Sequence, residues 1–362
     1  MAVSADPVVP RWADWPLCQA APMGAPGCIG GQLDPDQPCF AHSDDDGRAA
    51  AMRRLRDGIS LDFLLGAEVT EELLAEVLAA APTKDGRKVF PFVDLRGARF
   101  HSTAGFDGVS FEGPVWSAWS TFQGDAGFFE ASFQRYAWFG GATFRDDARF
   151  GGASFADGAW FDRATFQGNS DFHTASFGRA SGPGRPWFGE MRFQGPAGFG
   201  GATFAGTTSF DGAVLGDGAD FRAASFHRDA RFDRTTFAGT TRFERAAFAG
   251  DADFRAASFH RGLGFARASF HGRAWFDQAR FEGSTGFGEA RFAGTSSFDG
   301  AAFEGDADFR AASFHRGTGF GRASFHGRAS FERAAFEGDA DFRAVSFQGE
   351  ARFDRVRGTI RR

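Results

Sequence analysis

The sequence predicts a mainly β fold: a parallel β-helix of about 22 residues per coil and about 12 coils, with a small Cys-rich and helical cap before it. Three observations carry this. Phe recurs with gaps that alternate between five and six residues; between Gly250 and Gly283 it falls at 254, 259, 265, 270, 276 and 281. Two residues before each stands a small or apolar residue: Ala252, Ala257, Leu263, Ala268, Ala274 and Ala279. Trp116, Trp138 and Trp160 stand 22 apart, each one residue before the centre of a repeat.

The rhythm runs from about Leu95 to Phe353. A long helix does not explain it. At about 100° per residue, steps of five and six throw successive Phe residues to different sides of the axis. Gly in nearly every repeat would also cost about 1 kcal/mol per helix-interior position. Short strands with sharp corners do explain it. In A-x-F the Ala and Phe share one side of a strand and point inward, and the residue between them points out. Gly239, Gly250, Gly272, Gly283, Gly294, Gly305, Gly327, Gly338 and Gly349 fall in the six-residue steps. These are expected to be corners that need positive φ.

The Trp residues set the number of faces. Trp187 continues their column if the Gly/Pro-rich stretch near 178–187 carries a five-residue loop, and Trp275 follows 88 residues later, four coils of 22. One coil is then 5+6+5+6 residues on four faces. DADFRAASF at 251 and 306, and its near copy DADFRAVSF at 339, stand 55 and 33 residues apart, odd multiples of 11, so the duplicated unit is half a coil. Ser117 and Leu215 stand where Phe is expected.

The A-x-F-x-x pattern, and ADF at 219–221, 252–254, 307–309 and 340–342, resembles the bacterial pentapeptide-repeat family, over roughly three quarters of the chain. The resemblance implies a right-handed quadrilateral β-helix. The sequence departs from the family pattern in its alternate six-residue faces and in preferring Phe to Leu, which points to a wider, more rectangular coil. The family's biochemical roles are mostly unknown, so the likeness implies little about function.

Composition bounds the rest. There are 49 Phe and one Tyr among 362 residues, as a buried ladder with no partner for a phenol hydroxyl requires. No basic n-region precedes an apolar run in MAVSADPVVPRW, and no stretch of 18 apolar residues occurs, so neither a signal peptide nor a membrane span is expected and the cytoplasm is the default. Three Cys argue against a disulfide-stapled secreted fold.

In chain order, residues 1–47 read as a Cys-rich head. Cys18, Cys28, Cys39 and His42 form C-x9-C-x10-C-x2-H. Three thiolates and an imidazole suit one closed, structural tetrahedral zinc site, and a metal would supply stability that so little apolar mass cannot. Three unrelated thiols are the alternative. Residues 48–94 read as helical cap and linker: helices over 48–57 and 70–81, the second N-capped by Thr70 and stopped by Pro82, then a linker over 83–94. The helical piece is expected to cover the open first coil. Residues 95–362 form the repeat array with its loop insertion near 178–187. Only DRVRGTIRR follows Phe353, so either Ile360 folds over the last coil or two copies meet there as a homodimer.

The array offers no nucleophile–base pair, phosphate loop or H-E-x-x-H motif. His227, His271 and His315 stand two coils apart, too far to share a metal ion. The outward column Trp116, Trp138, Trp160 and Trp187 is the foremost candidate site, since a contiguous exposed apolar patch marks a partner surface; the alternative is that the column is covered from within the chain. Three functions are weighed: a non-enzymatic scaffold binding an unknown protein partner, a DNA mimic acting on a type II topoisomerase, and a redox or metal sensor built on the Cys cluster. Residues 95–362 carry 31 acidic and 32 basic side chains, which argues against a DNA mimic and against nucleic acid. Asp233, Arg255 and Asp277 alternate in sign down one column, which reads as pairing between coils.

Overall fold

In a computed structural model that describes residues 43, 45–62, 64–178 and 188–361, the Phe rhythm becomes columns of two-residue parallel strands paired 22 residues apart. This is a parallel β-solenoid of about 12 turns. The chain divides into two compact units.

The first unit is Met1–Asp171 with Ser176–Trp187. Its inward Phe residues stack ring on ring between coils. Phe100, Phe122, Phe144 and Phe166 follow one another at 4.7, 4.8 and 4.5 Å. Phe111, Phe133, Phe155 and Phe177 do the same at 4.7, 4.5 and 5.0 Å. Neighbouring columns meet edge to face, as Phe139 and Phe150 do at 81°. Ser117, at a Phe position, is fully buried and satisfies its hydroxyl on Ser120 Oγ at 2.8 Å.

The first coil is covered at its backbone edge. Leu61 bridges to Val93, and Glu68–Val69 pairs with Arg99–Phe100. Helices span Asp45–Arg56 and Glu71–Ala80. Asp45 and Asp46 fill the first turn of the former, where carboxylates suit the helix N-terminus. Thr70 caps the latter by accepting from the Leu73 N–H. Residues 83–94, expected as a linker, instead contain the hairpin Thr83–Lys84 with Arg87–Phe90. Its turn is Asp85–Gly86, both at positive φ, the two-residue signal for such a turn. It delivers Phe90 into the core as the first rung below Phe111, at 5.8 Å.

The second unit is Phe172–Ala175 with Phe188–Arg362. Phe232, Phe254, Phe276, Phe298 and Phe320 stack at 4.7 to 4.9 Å with planes within 3°. Leu215 takes a Phe place in register between Phe193 and Phe237. Ile360–Arg361 pairs parallel with Ala340–Asp341, so Ile360 joins that sheet as a further strand.

The corners correct one expectation. Positive φ recurs in the five-residue steps, two residues after a ring: Arg245 at 60°, Ala256 at 53°, Gln278 at 58°. There a four-residue β-turn closes, Ala257 N–H donating to the Phe254 carbonyl at 3.2 Å. The glycines of the six-residue steps, from Gly239 to Gly349, are not at positive φ. They are small because coils touch there: a β-carbon on Gly305 would stand 2.6 Å from the carbonyl carbon of Gly283. Among the described residues no helix is long and apolar enough to cross a membrane.

Candidate interaction surfaces

In the first unit Trp116, Trp138 and Trp160 stand directly opposite one another in register, as the 22-residue spacing requires. Ala or Val two before each ring centre points in, so the Trp must point out. All three are half-buried. The Trp138 indole lies over Gly140, and a β-carbon there would collide with it. Trp119 lies over Gly141 and meets Trp138 edge to face at 5.4 Å. Tyr136 meets Trp160 at 6.0 Å, and Phe92 meets Trp116 at 5.8 Å. The Arg96 guanidinium covers Trp116 at 4.5 Å from the ring centroid. The surface is therefore a patch of six aromatic residues. Phe92, Trp119 and Tyr136 lie off the 22-residue column, so spacing alone does not find them. Tyr136, the sole tyrosine, is 37% exposed.

Trp187, Cys18, Cys28, Cys39 and His42 lie outside the described residues, as does the 179–187 stretch of the loop. Among the described residues no group of three His, Cys, Asp or Glu is placed to hold a metal ion. His315 and His326 find carboxylates on adjacent coils, His315 at 2.7 Å from Glu337 and His326 at 2.8 Å from Glu304.

The outward charges follow a rule that corrects the reading of Arg255. Its first partner is Asp253, two residues before it on the same coil, gripped by Nε and Nη2. Asp233 and Asp277 on adjacent coils only add to the field. Asp94–Arg96, Asp220–Arg222, Asp308–Arg310 and Asp341–Arg343 repeat this pair. In each, the Asp also accepts the backbone N–H of the Arg. Where that Asp is missing, an Asp of the preceding coil can take over: Asp211 accepts from Asp233 N–H at 3.0 Å, and Asp299 from Gly321 N–H at 2.7 Å. Pairing between coils does occur elsewhere, as in Arg273–Asp251 at 2.7 Å.

Burial decides the pKa directions. Asp94, 5% exposed, is pushed up by desolvation despite Arg96. Asp341 is held down at about 2 by the hydrogen bonds it accepts from the Arg343 side chain and backbone. These are structural ion pairs; no carboxylate among them is set beside a nucleophile.

No curated protein and no solved structure matches the chain. It does match the family described as pentapeptide repeats (9 copies) over residues 128–176, 188–236, 265–313 and 320–357, just over half its length. With the solenoid, its 22-residue coil and the inward Ala and Phe columns on the page, the chain belongs to the pentapeptide-repeat family.

Proposed function

We propose that the protein is a non-enzymatic scaffold whose aromatic patch binds a protein partner. The pentapeptide-repeat solenoid fits a structural scaffold. One observation carries the binding role: Trp116, Trp138 and Trp160 in register, widened by Phe92, Trp119 and Tyr136. Trp and Tyr bring large contact area at small rotamer cost, and they dominate interface energetics. The patch is rimmed by charge, with Arg135 and Asp157 paired at 3.5 Å beside it.

The test is selection of peptides from a displayed random library on the immobilised protein. Peptides that bind the native protein should lose at least ten-fold in affinity against Trp138→Ala and Trp160→Ala. Peptides indifferent to both substitutions would remove the patch from consideration.

Cys18, Cys28, Cys39 and His42 carry a second, separate proposal, one structural zinc ion in the head. It rests on the donor set alone: three thiolates and one imidazole leave no open position.

A further inference from the structure

The second unit carries a groove of about 1020 Å³ that the aromatic patch does not involve. Ala266 and Gly288 line it, on two successive rungs whose outward positions have no side chain beyond a β-carbon: Gly264 and Ala266, then Gly286 and Gly288. The rungs on either side are charged. Asp220–Arg222 and Arg242/Glu244 stand on one side, Asp308–Arg310 on the other. At the rim Arg267 Nε donates to Glu289 at 2.9 Å.

One wall carboxylate is left over. Arg222 is committed to Asp220 and Arg310 to Asp308, each through two nitrogens, and Arg267 to Glu289. Glu244 reaches across and lies over Gly264, where a β-carbon would collide with it. Its Oε2 is buried and has no hydrogen-bond partner. Asp107 and Asp299 lie over Gly127 and Gly319 in the same way, but each accepts a backbone N–H, from Phe129 and Gly321. Glu244 is one methylene longer and takes no such bond. A buried carboxylate oxygen without a donor costs about 1–3 kcal/mol or more, so a ligand that supplies the donor recovers it.

We propose that this groove receives an arginine side chain of a protein partner. The guanidinium lies flat on Ala266, Gly286 and Gly288, and Glu244 turns off Gly264 to accept from it. Arginine is favoured over lysine because the fork is planar and pairs with a carboxylate through two parallel bonds. It is also the cation with which this surface already pairs its own carboxylates at Asp220 and Asp308. In effect the two bare rungs lack the arginine that their neighbours carry, and the partner supplies one. Arg245 and Arg333 on the rim keep the groove near neutral, which selects a partner segment with a carboxylate beside its arginine.

The experiment is an amide NMR titration of the full chain with N-acetylarginine amide, N-acetyllysine amide and acetate as separate probes. The arginine probe should shift Gly264, Ala266, Gly286 and Gly288 saturably, more tightly than the lysine probe, and Glu244→Gln should weaken it at least ten-fold. Ala266→Arg places a guanidinium in the groove from within; it should abolish probe binding while the melting temperature holds or rises. Acetate shifting these amides in place of arginine would overturn the proposal. So would equal arginine shifts in Glu244→Gln, or no saturable shift in the native protein. Because the aromatic patch lies in the first unit, loss of either site leaves the other to be judged separately.

Discussion

Gly327 sits so close over Gly305 that a β-carbon on Gly327 would stand 2.5 Å from the Gly305 carbonyl carbon and 2.6 Å from its oxygen. The clash is with backbone, which cannot step aside without parting two coils. Gly327→Ala should therefore destabilise by roughly 2–4 kcal/mol, in the range of severe packing faults. Denaturant unfolding followed by amide exchange in residues 298–336 reads this directly; a loss below ~0.5 kcal/mol would show that the coils are not in contact there.

The opposite change should help at the opposite corner. Ala256 holds φ at 53°, a conformation that costs an L-residue about 1–2 kcal/mol and a glycine almost nothing. Glycine also loses more freedom on folding, which offsets part of the gain. Ala256→Gly should stabilise by ~0.5–1 kcal/mol, whereas Ala257→Gly, one residue on and fully buried, should destabilise. Urea midpoints of the two variants should move in opposite directions.

Asp341 is held at about 2 in the folded chain, below the ordinary carboxylate value of 3.8. A lowered carboxyl stabilises the fold above its unfolded pKa and loses that contribution as pH falls through the folded one. Its share of stability is thus complete above about pH 4 and is lost between about 4 and 2. Arg343→Ala should return the Asp341 carboxyl resonance to an ordinary midpoint and flatten the acid limb of the stability curve. A midpoint unchanged in the variant would mean that Arg343 is not the cause.

Inserting one Ala between Asp253 and Phe254 should turn Phe254 outward and unfold that coil locally, since a one-residue slip exchanges the faces of a strand. The same insertion after Gly184, inside the expected loop, should leave the melting temperature unchanged. Equal effects at both places would contradict the register.

Metal content and mass can be read together by native mass spectrometry of protein purified without chelator. One zinc per chain is the expected result. Metal-free protein whose three thiols titrate freely would end the zinc proposal.

The core was legible because inward positions obey one repeating demand. Phe and Ala had to recur, and a ring at 265 had to stack on one at 287; it does so at 5.1 Å. The corners were not. Glycine serves both positive φ and close approach, and the spacing of Gly250 and Gly272 does not say which. The turns fell instead on Arg245, Ala256 and Gln278, residues with no local signal for a left-handed backbone. The Trp column was legible from a period; Trp119 and Tyr136, which complete the patch, follow no period. The partner of Arg255 was misread because counting coils favoured Asp233 and Asp277, while a side chain two residues away on the same coil lies nearer. Glu244 gave no signal in sequence, because its isolation depends on which neighbours are missing.

The half-coil repeat has an evolutionary consequence. Asp253–Arg255 and Asp308–Arg310 come from the same nonapeptide, yet they lie in different sheets, because the copies are 55 residues apart, an odd number of half-coils. Copying 22 residues lengthens a surface; copying 11 carries its pattern to another side of the coil. A tract of such repeats can therefore acquire a second copy of a binding motif, facing a different direction, in one unequal recombination event and without disturbing a single buried ring.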